Sequence, residues 1–143
     1  GQVECVRLLL EAGAAVDQAK DGSATPLIIA CYKGHVEVAR LLRDAGAAVN
    51  QANNNGSTPL FIACQKGHVD IVRLLLETGA SVSQASARGT TPLFMACQNG
   101  HVECARLLLE SGAAKDQTDE QGVTPLLIAC WQGHLECVRL LLK

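Results

Sequence analysis

Two residue types that bind metals and act as nucleophiles or bases recur together along this chain. Cys31 and His35, Cys64 and His68, Cys97 and His101, and Cys130 and His134 are each four residues apart. On one unbroken helix that spacing sets a thiol and an imidazole on the same face. A zinc centre needs about four ligands at about 2.0–2.3 Å from one ion. Each pair here is separated from the next by 33 residues, and a Gly stands directly before every His, where a helix would end. Packed helices lie about 8–10 Å apart, so successive pairs do not reach a common ion. No metal or other cofactor is expected. The cysteines read as small apolar core residues, and each His as the start of a second helix.

The same cysteines are poor candidates for covalent chemistry. A nucleophilic thiol needs a base and a polarised, partly open setting, whereas Cys64 is surrounded in sequence by Leu60, Ile62 and Ala63. Cys5, Cys104 and Cys137 occupy the place held by Val38 and Ile71, which marks them as core. Equivalent cysteines in adjacent units should lie beyond the Cα separation of about 7 Å that a disulfide spans. Cys97 with Cys104, or Cys130 with Cys137, come nearest within one unit, and no bond between them is expected. Seven free thiols imply a reducing compartment, cytoplasmic or nuclear for a natural protein. Glu37, Asp70, Glu103 and Glu136 each stand three residues before an Arg. They form a solvated ladder of helix-surface pairs rather than a catalytic carboxylate cluster. No Gly-Lys-Ser/Thr phosphate loop occurs, and the chain is not expected to be an enzyme.

The bulk properties narrow the classes further. A formal net charge of -2 over 143 residues lacks the basic footprint that nucleic acid requires. The apolar runs, such as Val123 to Trp131, fall short of the about 20 residues of a membrane span. No N-terminal signal pattern is visible. Nearly half of the chain is apolar, but aromatics are confined to Tyr32, Phe61, Phe94 and Trp131. That composition suits thin, closely packed helices.

The elements that would position these residues follow from a repeat. Thr25-Pro26-Leu27, Thr58-Pro59-Leu60, Thr91-Pro92-Leu93 and Thr124-Pro125-Leu126 recur every 33 residues, in register with the Ala-Cys and Gly-His pairs. Thr58 can cap a helix with its hydroxyl, and Pro59 suits the first helical position. Leu60, Ala63 and Cys64 then share one face, and Gly67 closes the helix in a left-handed turn. A second helix is expected from His68 to Glu77, with Ile71, Val72, Leu74 and Leu75 as its apolar face. A polar, Asn/Gly-rich segment then loops out before the next Thr-Pro. Helices this short do not persist alone. They must stack on their neighbours in a quasi-one-dimensional solenoid.

This pattern, T-P-L followed by Ala-Cys, G-H-x-E and L-L-x-x-G-A, resembles the ankyrin repeat family over nearly the whole chain. The resemblance implies an all-α fold, an α-solenoid of stacked ankyrin helix-turn-helix repeats with hairpin-like loops. It divides 1–143, as a single array, into a partial repeat at 1–17 with only its second helix and repeats at 18–50, 51–83, 84–116 and 117–143. Two departures stand out. Ile28, Phe61, Phe94 and Leu127 replace the family's frequent His after T-P-L, which trades polar support of the turn for apolar contact. The family's Asp at the hairpin start survives only as Asp119, with Lys20, Asn53 and Ser86 elsewhere. The first loop also carries Gly22 one place earlier than Gly56, Gly89 and Gly122, so a different turn is expected there. Gly1 aligns with Gly34, and Lys143 falls within a second helix. These ends read as a fragment of a longer array or as an engineered, consensus-like one.

Positions that vary while the frame stays fixed are free of packing constraints and are the candidates for recognition. One set is the hairpin tips: Asp21, Asn54, Asn55, Ser57, Arg88, Thr90, Glu120 and Gln121, together with Ala87 and Val123. The other ends each first helix: Tyr32 and Lys33, Gln65 and Lys66, Gln98 and Asn99, Trp131 and Gln132. The resemblance places both sets on the concave side, where ankyrin arrays hold partners. Tyr32 and Trp131 share one repeat position three repeats apart, about 30 Å at the helix-packing spacing. They would anchor two ends of an extended partner rather than one pocket. The expected function is a non-catalytic module that presents this groove to another protein. The alternative is an engineered or consensus-like scaffold without a natural partner, whose uncapped ends self-associate end to end.

Overall fold

The computed structural model describes residues 2–19, 21 and 24–143. Their regular structure is nine short helices: α1 (Gln2–Glu11), α2 (Pro26–Lys33), α3 (Val36–Asp44), α4 (Pro59–Lys66), α5 (Val69–Glu77), α6 (Pro92–Gln98), α7 (Val102–Glu110), α8 (Pro125–Gln132) and α9 (Leu135–Leu142). Each first helix starts in the way its Thr-Pro pair dictates. The hydroxyls of Thr25, Thr58, Thr91 and Thr124 accept from the backbone N–H three residues on, at 3.2, 3.1, 3.1 and 3.2 Å. The Pro occupies the first turn, where it forfeits no hydrogen bond. The second helices begin one residue later than expected. His35, His68, His101 and His134 sit just outside them, with no side-chain capping bond.

The helices form two layers. α2, α4, α6 and α8 pack side by side in one, and α1, α3, α5, α7 and α9 in the other, each first helix also packing on the second helix that follows it. Between the layers lie Leu27, Leu60 and Leu93, Cys31, Cys64 and Cys97, and Ile71, Cys104, Leu108 and Cys137, all fully buried. Ala30, Ala63, Ala96 and Ala129 keep the first helices thin enough to approach closely. The arrangement is an all-α repeat solenoid.

Each helix pair is clasped to its neighbour by polar bonds that sequence periodicity does not reveal. His68 Nε2 donates to Tyr32 O (3.3 Å), His101 to Gln65 O (3.1 Å) and His134 to Gln98 O (3.0 Å). The ring in each case lies over the preceding repeat's glycine. A Cβ on Gly34, Gly67 or Gly100 would meet that imidazole at 2.7, 2.5 and 2.7 Å. The glycine is thus needed both for its left-handed backbone, with φ of +76° at Gly67, and for the space it leaves. Along the loops, Asp17 Oδ1 accepts from Ala48 N, Asn50 Oδ1 from Ser81 N and Ser83 Oγ from Ala114 N. At the hairpins, Ala87 N donates to Asn55 O and Glu120 N to Arg88 O.

Two cysteine positions differ from expectation. Cys5 and Cys130 are exposed, while their counterparts in the middle of the stack are buried. A core position in a solenoid is completed by the neighbouring unit. Cys5 lies on α1, which has no first helix beside it among the described residues, and Cys130 lies on α8, the last of its layer. Leu127 is 56% exposed for the same reason, whereas Ile28, Phe61 and Phe94 are buried. In the first loop Asp21 takes a positive φ of 46°. The expectations for Gly1, Lys20, Gly22 and Ser23 lie outside the described residues.

Candidate functional site

The hairpins and the ends of the first helices border one face of the stack. On it lies a cleft of about 380 Å³ between α4, α6 and α8 and the two hairpins that precede α6 and α8. Its floor is apolar: Phe61, Phe94, Met95 and Ile128 are each buried by the helix layer yet turn an edge into the cleft. Its rim is polar and adaptable: Gln65, Arg88, Thr90, Gln98, Glu120 and Gln121. Trp131 stands at one end, with 79% of its surface exposed. Gln65 and Gln98 hold the same repeat position between flanking first helices and remain partly open, so the position itself faces the groove.

The hairpins owe their shape to the residue that opens each one. Asp119 Oδ1 accepts from Gln121 N and Val123 N, both at 2.9 Å. Asn53 Oδ1 makes the same pair of bonds to Asn55 N and Ser57 N, both at 3.0 Å. An amide oxygen thus replaces the family's carboxylate without loss of the turn. Ser86 does less, meeting Arg88 N at 3.3 Å and Thr90 Oγ1 at 2.6 Å.

Of the residues singled out in the sequence, Gln65, Arg88, Thr90, Gln98, Glu120, Gln121, Val123 and Trp131 converge on the cleft. Tyr32, Lys33 and Lys66 form a separate cluster: the Lys66 ammonium lies 4.3 Å from the Tyr32 ring centre and that of Lys33 5.6 Å. Asp21, Asn54, Asn55, Asn99 and Gln132 are exposed but outside the cleft. The Asn99 amide donates to Met95 O and so finishes its own helix. Ser57 is misjudged by the variability argument. It is 7% exposed, because its N–H is drawn in to Asn53, and it has little surface to offer. Sequence reasoning also missed Phe61, Phe94, Met95, Asp119 and Ile128 as cleft residues. The floor residues carry only a core signal, and only their shared position along the first helix ties them to Gln65 and Trp131.

The opposite face offers little contrast of charge. Glu4–Arg7, Glu37–Arg40, Glu103–Arg106 and Glu136–Arg139 pair at 3.9, 3.6, 3.3 and 2.8 Å, all exposed and so weakly held. The shorter Asp70 makes no such pair with Arg73. Thiol chemistry is suppressed in the core. Burial pushes Cys31 and Cys97 up to about 12 and Cys104 to about 11, and raises Cys64 well above the ordinary thiol value. The thiols that act on one another belong to neighbouring repeats: Cys64 feels Cys104 and Cys31, and Cys97 hydrogen-bonds with Cys137. All seven cysteines are free. No group of three or more His, Cys, Asp or Glu gathers as a metal site among the described residues. No helix there is long and apolar enough to cross a membrane.

No curated protein matches the sequence. A family model described as ankyrin repeats (3 copies) matches residues 1–86 and again residues 82–143. With T-P-L caps, left-handed Gly before His and stacked helix pairs repeated along it, and hairpins ahead of α4, α6 and α8, the chain belongs to the ankyrin-repeat family.

Proposed function

We propose that the chain is a non-catalytic protein-binding module whose partner lies along the face bordered by the hairpins and first-helix ends, centred on the Trp131 cleft. Ankyrin repeats generally mediate protein–protein interaction. The observation that carries the assignment to this face is the Trp131 indole, 79% exposed at the rim of a cleft with an apolar floor. Interfaces draw much of their binding energy from Trp, Tyr and Arg held over such floors. Trp131, Tyr32 and Arg88 all lie on this side. The raised, buried thiols and the weak, paired surface carboxylates favour binding over catalysis, and seven free cysteines favour a reducing compartment.

An unbiased pull-down with the array as bait, repeated with Trp131→Ala and Tyr32→Ala, tests this reading. Each change should weaken a captured partner by more than about 1 kcal/mol and leave thermal stability nearly unchanged, since Trp131 is largely exposed and Tyr32 about half exposed. A partner held equally well by both variants refutes the assignment.

A second reading has its own observation. Leu8 and Leu9 on α1, Leu127 on α8 and Leu142 on α9 are more than half exposed, so the two ends of the stack are apolar. Copies of the chain would then stack end to end as a scaffold. Sedimentation over a range of concentrations distinguishes the readings. Association that grows with concentration favours stacking, and a constant monomer favours the binding module.

A further inference from the structure

The charges on the groove face are arranged unlike those on the back. Among the described residues every ion pair lies on a second helix. Lys33, Lys66 and Arg88 take part in none. Instead the two lysines converge on one side chain, with Lys66 Nζ 4.3 Å and Lys33 Nζ 5.6 Å from the centre of the Tyr32 ring. The negative face of the ring holds them there. Two ammonium groups gathered on one ring repel each other, and the ring does not neutralise them. An anionic group seated beside them would relieve that repulsion. Arg88, on the hairpin that leads into α6, lies at the rim of the cleft, where it has Asp119 and Glu120 for company. On the same face Asp21 is exposed, and Asp119 and Glu120 line the Trp131 cleft together with Arg88, so the cationic part of the face is the pair of Lys33 and Lys66.

We infer that the groove takes an extended peptide segment with Asp or Glu side chains. These would seat on Lys33 and Lys66 beside Tyr32, while an apolar side chain farther along the segment enters the cleft under Trp131. The inference rests on the proposed function, since it needs the partner to lie on this face. Tyr32 and Trp131 are three first-helix steps apart, about 24–30 Å at about 8–10 Å per step. An extended chain covers that in about eight residues at about 3.3 Å each. The acidic and apolar positions of the segment should therefore be separated by about that many residues. The back face, where each Glu is matched by its own Arg, offers no comparable complement.

Selection of a random peptide library displayed on phage against the immobilised array tests this. Binders should be enriched in Asp and Glu at one end and in Leu, Ile or Phe at the other. Selection against the Lys33→Glu/Lys66→Glu variant should favour Lys and Arg at the same end. The acidic binders should bind that variant about tenfold less well or worse at low salt, because like charges oppose each other at an interface, with the difference shrinking as salt is added. Both lysines are exposed and in no ion pair, so circular dichroism should show the fold retained, with melting lowered only modestly because each charge lies in the last turn of its helix. Binders without charge bias that nonetheless depend on Trp131 overturn the acidic-segment inference and leave the proposed function standing. Binders indifferent to Trp131→Ala, or no binders at all, overturn both.

Discussion

Gly67→Ala tests how the repeats are joined. Two effects add. Gly67 has a φ of +76°, and an L-residue there costs about 1–2 kcal/mol. The new Cβ would also lie 2.5 Å from Nδ1 of His101, so the imidazole must leave its place. That breaks the His101 Nε2 to Gln65 O bond of 3.1 Å, worth about 1 kcal/mol net. The sum is about 2–3 kcal/mol. Gly133, at φ +77° with nothing within 4 Å of its Cβ, should cost only the backbone strain. In a His101→Ala background there is no ring left to displace, so Gly67→Ala should again cost about 1–2 kcal/mol. Urea unfolding followed by circular dichroism gives the four stabilities of the cycle. A coupling of about 1 kcal/mol is expected. Additivity within about 0.3 kcal/mol would show that ring and glycine do not meet as described.

Two further outcomes follow from the cysteines. In the native state Cys5 and Cys130 should react rapidly with a thiol reagent and the buried five slowly, and Cys64→Ser should cost about 1–3 kcal/mol in urea unfolding by placing a hydroxyl in an apolar site; fast reaction of Cys64 would contradict its core placement. For pH, burial raises the folded thiols of Cys31 and Cys97 from 9.0 to about 12. Their contribution to stability is therefore whole below about 9, where the unfolded thiol is also protonated, and is lost as pH rises from there toward about 12. Thermal melting should fall across that window, and Cys31→Ala/Cys97→Ala should flatten the fall; an unchanged slope would contradict the assignment.

Much of the fold was legible because local chemistry repeats. Thr58, Pro59 and Gly67 mark the two ends of one helix, and Leu60, Ala63 and Cys64 mark its inner face, within ten residues of sequence. What was not legible depends on neighbours. His101 reads as a helix start, yet its ring bonds a carbonyl 36 residues earlier. Cys5 and Cys130 carry the same signal as Cys104 and Cys97, and only the presence of an adjoining unit separates buried from exposed. Arg88 and Glu120, singled out because they vary in a fixed frame, line the cleft. Ser57 varies as well, but its N–H bond to Asn53 turns it inward. Phe61, Phe94 and Ile128 were passed over because a cleft floor and a helix core draw on the same residues.

Trp131 is the single tryptophan of the chain, so its fluorescence reports on one place. Titration of the array with a peptide or protein that binds it, with binding verified independently by calorimetry, tests the groove assignment most directly. The account predicts a saturable change in indole emission, shifted to shorter wavelength as water is excluded from the cleft, with the same dissociation constant as the heat signal. Full binding with emission unaltered would place the partner elsewhere and contradict it.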